Sequence, residues 1–226
     1  MIKYFTLNTT VETICFAVAL VCLIKDNSRV WRGMILFLFI TCITEMIGVQ
    51  IKRLYLADKL HVHPNVWLYN ILLLFQAWFI SMMFEHLLNK YTNSKRIILG
   101  GLALLLILYV YETVTHGIFV YNNITNTVMS IQFVLYCYYY YYCLLKDENY
   151  VNLTYSAEFW WIAGALFYYF GRTACNVLFD VISLFKPEIE ITSPVYKVLN
   201  IILYSYWSYS FICKKWQVST SKVQFQ

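Results

Sequence analysis

Seven apolar runs of near-membrane length recur along this chain, separated by short charged or turn-forming segments, and that pattern admits few folds. A helix rises about 1.5 Å per residue, so roughly 20 apolar residues cross a hydrocarbon core about 30 Å thick. In that core every backbone N–H and C=O must be paired, and a helix pairs them within its own segment. The runs predict helices over 8–24, 33–51, 65–88, 97–115, 125–145, 159–184 and 195–213. Composition agrees, with 61% hydrophobic and only 13% charged residues, where a soluble domain carries about 25% charged. The expected fold class is an all-α membrane protein of seven transmembrane helices, a single membrane domain over 1–226 without a separate soluble part.

The charges sit where topology signals sit. With the N-terminus outside, the inner segments hold Lys25, Arg29, Arg32, Lys90, Lys95, Arg96, Lys146, Lys214, Lys215 and Lys222. The outer segments then hold Lys3, Lys52, Arg53, Lys59 and Lys186. Cytoplasmic loops are rich in Lys and Arg, so the count predicts an outside N-terminus, an inside C-terminus and a multi-pass protein of the cell membrane with the lipid bilayer as its first partner. The net charge of +5 belongs to these connections, and no nucleic-acid partner is expected. Ala17-Val18-Ala19 has a small-x-small cleavage pattern, but cutting there would halve the first apolar run. The seven cysteines fall in or at the ends of predicted spans without a CxxC pair and read as packing residues. Trp31, Trp67, Trp160, Trp161 and Trp216 read as an interfacial belt.

Two stretches of the chain repeat. Thr10-Val11-Glu12-Thr13-Ile14 aligns with Thr127-Val128-Met129-Ser130-Ile131, and Cys22-Leu23-Ile24-Lys25-Asp26 with Cys143-Leu144-Leu145-Lys146-Asp147. Pro64 precedes Asn70-Ile71-Leu72-Leu73 as Pro194 precedes Asn200-Ile201-Ile202-Leu203. These matches predict a 3+1+3 parallel internal repeat: a first three-helix unit over 8–88, a linker helix over 97–115 and a second unit over 125–213. The plan resembles the SWEET sugar carriers and their PQ-loop relatives. That resemblance implies a substrate site using an Asn from the third and seventh helices, here Asn70 and Asn200; the Pro-Gln motif of the PQ-loop proteins is absent. A second resemblance is carried by Glu12, Glu45, Phe159-Trp160 with Gly164, Tyr168-Tyr169-Phe170-Gly171 and Asn200-Ile201-Ile202-Leu203-Tyr204. It is to a family of bacterial seven-helix membrane proteins often encoded beside sensor histidine kinases, and it implies no settled activity.

A charge near the bilayer centre costs roughly 2.5–3.5 kcal/mol on insertion scales, so Glu45 and Arg172 are expected to face the bundle interior or a watery cavity. Arg172, Asn176 and Asp180 follow i, i+4, i+8 and share one face. With Asn70, Gln76 and Asn200 they predict an outward-opening polar chamber. Asn70, Gln76, Asn176 and Asn200 would bind a small polar or zwitterionic solute, and Arg172 would meet an anionic group or pair with Glu45. The alternative is that these groups form interhelical hydrogen bonds and structural ion pairs, with Glu112 and Lys197 snorkelling at helix ends.

Catalysis is not expected: the sequence has no GxSxG elbow, HExxH, Walker or dinucleotide motif. No metal or cofactor is expected either, His61-Val62-His63 reading as a solvated loop pair. Lys197 stands too close to its helix start for a retinal Schiff base. Three functions remain: a carrier of a small polar solute, a ligand-sensing subunit signalling to a partner histidine kinase, or a purely structural seven-helix membrane protein. A homo-oligomer is compatible with each.

Overall fold

A computed structural model describes residues 6–58, 63–147, 152–185 and 192–223, with the side chains of 176–193 and 218–223 outside the description. Among the described residues the chain is helical and has no strand. The elements are α1 (Leu7–Leu23), α2 (Arg29–Ala57), α3 (Val66–Leu88), α4 (Lys95–His116), α5 (Asn123–Lys146), a 3-10 turn (Leu153–Tyr155), α6 (Ala157–Phe185) and α7 (Thr192–Val223). Four of them, α2 to α5, are long and apolar enough to cross a membrane, and α1 is apolar over 17 residues.

The helix ends follow local chemistry. Thr6 caps α1, its Oγ1 accepting the Thr9 N–H at 3.3 Å. Gly117 ends α4 at φ 80, a backbone conformation a side chain disfavours, while its N–H donates to Thr113 O at 3.0 Å. The expected bounds of α2 and α7 were too short. The apolar pattern stops near 51, but Lys52 and Arg53 are good helix formers and nothing breaks the helix before Ala57. Likewise α7 runs on past 213 to Val223.

The helices pack in a closed circuit. α1 lies against α2, α2 against α3, α3 against α5, α5 against α6, α6 against α7, and α7 returns to α1. α4 touches α3 and α5 from outside the circuit, and most of its apolar surface stays exposed. Hereafter the end where α1 begins is the near end, and the opposite one the far end.

Aromatic side chains fill the far half. Trp161 stacks on Trp207 at 5.5 Å with the planes 3° apart, Phe84 meets Trp161 edge-on at 5.4 Å, and Trp31 meets Phe211 edge-on at 6.5 Å. Trp31 and Trp161 are both fully buried, so their expected place in an interfacial belt is corrected. Position along a helix fixes depth; rotation about its axis, which the neighbours decide, fixes whether a ring meets lipid or core. Trp216 remains 52% exposed. The tyrosine run divides the same way: Tyr138 and Tyr142, one turn apart, are exposed, while Tyr140 is buried.

The near end holds a different device. Asn122, at the N-cap of α5, gives no side-chain cap. Glu112 in the last turn but one of α4 supplies it, accepting the N–H of Ile124 at 2.9 Å, the N–H of Thr125 at 2.7 Å and the Thr125 hydroxyl at 2.6 Å. A carboxylate there also meets the positive end of the α5 dipole. Glu112 is therefore buried and capping rather than snorkelling.

Candidate functional site: a polar cavity at the near end

A cavity of about 490 Å³ opens at the near end, between the start of α1, the end of α2 and the starts of α3 and α7. One face of α2 forms its longest wall, since Glu45, Gly48 and Lys52 fall at i, i+3 and i+7. Glu45 is half-buried, and its Oε2 accepts from the Tyr69 hydroxyl of α3 at 3.3 Å. Gly48 makes that contact sterically possible: a Cβ there would stand 2.6 Å from Tyr69 Oη. Asn65 ties the two helices further by donating to Gly48 O at 3.0 Å. Lys52 and Lys197 line the cavity and are exposed. On the α1 side, Asn8 presents a buried Oδ1 without a hydrogen-bond partner.

Behind Glu45 lies a second carboxylate. Glu12 of α1 is 3% exposed; its Oε1 accepts from the Tyr204 hydroxyl of α7 at 3.0 Å, and its Oε2 is buried without a partner. The two carboxylates stand within electrostatic reach of each other. Arg172 donates to Tyr121 Oη at 3.2 Å and Tyr168 Oη at 3.5 Å, and Tyr168 lies within electrostatic reach of Arg172, Glu12 and Glu45 alike.

Among the described residues no ion pair joins Glu45 to Arg172, Lys52 or Lys197, so the expected Glu45–Arg172 pair is replaced by tyrosine hydroxyls on both partners. Asn70 lies outside this cavity's lining. It is fully buried and bound to the α4–α5 connection, donating to Ile118 O and Val120 O at 2.8 Å each and accepting from Asn122 N–H at 3.2 Å. Its amide braces a loop. Gln76 and Asn200 are half-buried and outside this cavity's lining, as is Arg172. The side chains of Asn176 and Asp180 lie outside the described residues. His63 stacks on Phe119 at 4.4 Å; His61 lies outside the described residues.

The cavity thus contains Glu45 together with Lys52 and Lys197, which the sequence placed at an outer segment and a helix end without a ligand role, and Tyr69, Asn65 and Asn8, which it did not single out. Lys52 was counted as a loop charge because α2 was ended too early. Its spacing from Glu45 and Gly48 was the available signal.

Two glycine substitutions separate close packing from open surface. Gly48→Ala should displace Tyr69 and destabilise by about 1–3 kcal/mol through overpacking. Gly100, with nothing within 4 Å of a built Cβ, should gain about 0.5–1 kcal/mol as Ala, from lower unfolded-chain entropy. Thermal melts of the detergent-purified variants check both signs; equal shifts would contradict the Gly48–Tyr69 contact.

No family model, curated protein or solved structure matches this chain.

Proposed function

We propose that the chain is a multi-pass protein of the cell membrane, N-terminus outside, whose near-end cavity binds a small polar solute and carries it across. The observation that carries this reading is Glu45: a carboxylate on an apolar helix, in a cavity wall, hydrogen-bonded to a tyrosine hydroxyl and not paired with the lysines of the same cavity. An intramembrane charge held at such cost marks a ligand or ion pathway by default. The packed aromatic far half closes the opposite side, as an outward-open carrier requires.

The packing order supports the 3+1+3 repeat. Exchanging α1, α2, α3 with α5, α6, α7 turns the α1–α2 pair into α5–α6, α2–α3 into α6–α7 and α3–α5 into α7–α1, all of which are packed pairs. α4 stands outside, as a linker would. Alternating access would then be a rocking of the two units about the axis between them.

The test is uptake of radiolabelled small polar solutes into proteoliposomes. A transported solute should lose at least about tenfold of its uptake rate in Glu45→Gln, a change of about 1.4 kcal/mol. Absence of flux across a broad panel, with binding demonstrated, would sink the carrier and leave the sensing subunit. That second reading is favoured by α7, whose 32 residues span about 48 Å at 1.5 Å per residue and so outrun the hydrocarbon core. A helix projecting past the membrane could engage a partner kinase, and co-purification would show it.

A further inference from the structure

We infer that the solute of the near-end cavity is a zwitterion with an apolar body, its cationic group seated on Glu45 and its anionic group on Lys52 and Lys197. This rests on the solute-binding reading above and specifies the chemistry of the same site.

The charges in the cavity are of both signs and are not matched to each other. Glu45 stands with Lys52 and Lys197 in one lining, and no ion pair joins it to either among the described residues. Lys52 lies two helical turns beyond Glu45 on the same face of α2, so their Cα atoms are separated by about 10 Å along the axis. Glu45 is half-buried and both lysines are exposed, which puts the negative group at the floor and the positive groups at the mouth. A ligand with one charge would satisfy one end and leave the other repelled or empty. A zwitterion lying along α2 satisfies both.

The floor has a second feature suited to an ammonium. Asn8 belongs to the lining that holds Glu45, and its Oδ1 is a buried acceptor with no partner that a turn of the amide would present to the cavity. Glu45 has one oxygen on the Tyr69 hydroxyl and further lone pairs free. An ammonium has three donors and no acceptor, so carboxylate and amide oxygens together match it. A buried acceptor left unmet is costly, and a donor from the ligand would remove that cost. Leu7, Val49 and Leu56 add apolar surface to the lining, Val49 standing between Glu45 and Lys52 along α2, and give the ligand's body an apolar contact.

The experiment is equilibrium binding to the full chain in lipid nanodiscs, with four probes of similar size. These are leucine as the zwitterion, leucinamide as its cation-only form, 4-methylpentanoate as its anion-only form, and a neutral hexitol. Leucine should bind at least about tenfold tighter than any of the other three. In Glu45→Gln the preference for leucine over 4-methylpentanoate should vanish, and in the Lys52→Gln, Lys197→Gln double variant the preference for leucine over leucinamide should vanish. These selectivity changes belong to direct contact, since loss of fold would weaken all four probes together, and a thermal melt of each variant shows the fold is kept. Tighter binding of the hexitol, or of either singly charged probe, would overturn the zwitterion while leaving a solute site in place. No binding by any of the four would remove the inference and count against the solute site itself.

Discussion

Glu112→Ala should lower the thermal midpoint of the detergent-purified protein by about 10 °C. Three hydrogen bonds converge on this carboxylate, two from backbone N–H groups in the first turn of α5 and one from the Thr125 hydroxyl. Bonds to charged groups contribute about 1.5–3 kcal/mol each and are not additive, so a joint loss of about 3–5 kcal/mol is expected. At this chain length each kcal/mol moves the midpoint by about 2–4 °C. Alternative acceptors are scarce: Asn122, the residue placed to cap α5, gives no side-chain cap, its Nδ2 donating to Thr113 Oγ1 and its backbone N–H to Asn70 Oδ1. Glu112→Gln keeps an acceptor and should recover about half the loss, whereas Thr125→Val removes one bond and should cost about 1 kcal/mol. If Glu112→Ala cost no more than Thr125→Val, the α5 amides would have to be satisfied by something other than Glu112.

Trp207→Ala is the second large effect, about 3–5 kcal/mol. Trp207 is 2% exposed, stacks on Trp161, meets Phe37 and Tyr204 edge-on at 6.0 Å each and donates its indole N–H to Trp161 O at 3.2 Å. Lipid is as apolar as the core, so release of rings from water contributes little to helix association in a membrane. What the substitution removes is dispersion contact and ring geometry, leaving a cavity where the circuit of helices closes. Trp216→Ala, at an exposed ring, should shift the melt by less than about 0.5 kcal/mol. Trp207→Phe should fall between, restoring much of the volume but removing the indole N–H donated to the Trp161 carbonyl. Comparable losses at Trp207 and Trp216 would mean that the far half is not the packed core.

Glu45 was legible in the sequence because a single carboxylate in an apolar run stands out against its cost. Asn70 was equally conspicuous, and its depth was read correctly as interior. Its bonds to the α4–α5 connection were not legible, because an amide at that depth serves a solute or a loop equally well, and the residues that share its three bonds lie about fifty positions away. Lys52 and Lys197 were visible but gave no sign of a site: near helix ends a lysine is ordinary, and it becomes informative only when the cavity sets it in one lining with a carboxylate. Arg172 invited pairing with Glu45, and Tyr168 on its own helix and Tyr121 in the α4–α5 connection hold it instead.

The helical fold class was settled by sums along the chain. Transfer of a run of residues into hydrocarbon and the pairing of its backbone are local quantities, so seven helices could be placed from composition and length alone, with errors where charged residues continued a helix past its apolar part. The tertiary structure decided what those sums do not contain, namely how each helix is turned about its axis. That rotation sends Trp31 and Trp161 into the core, brings Tyr204 to Glu12 across 192 positions, and sets Glu45, Lys52 and Lys197 around one cavity. Each such pairing depends on two helices at once, and a periodic apolar segment in a membrane, hydrophobic nearly all round, does not say which face its partner will take.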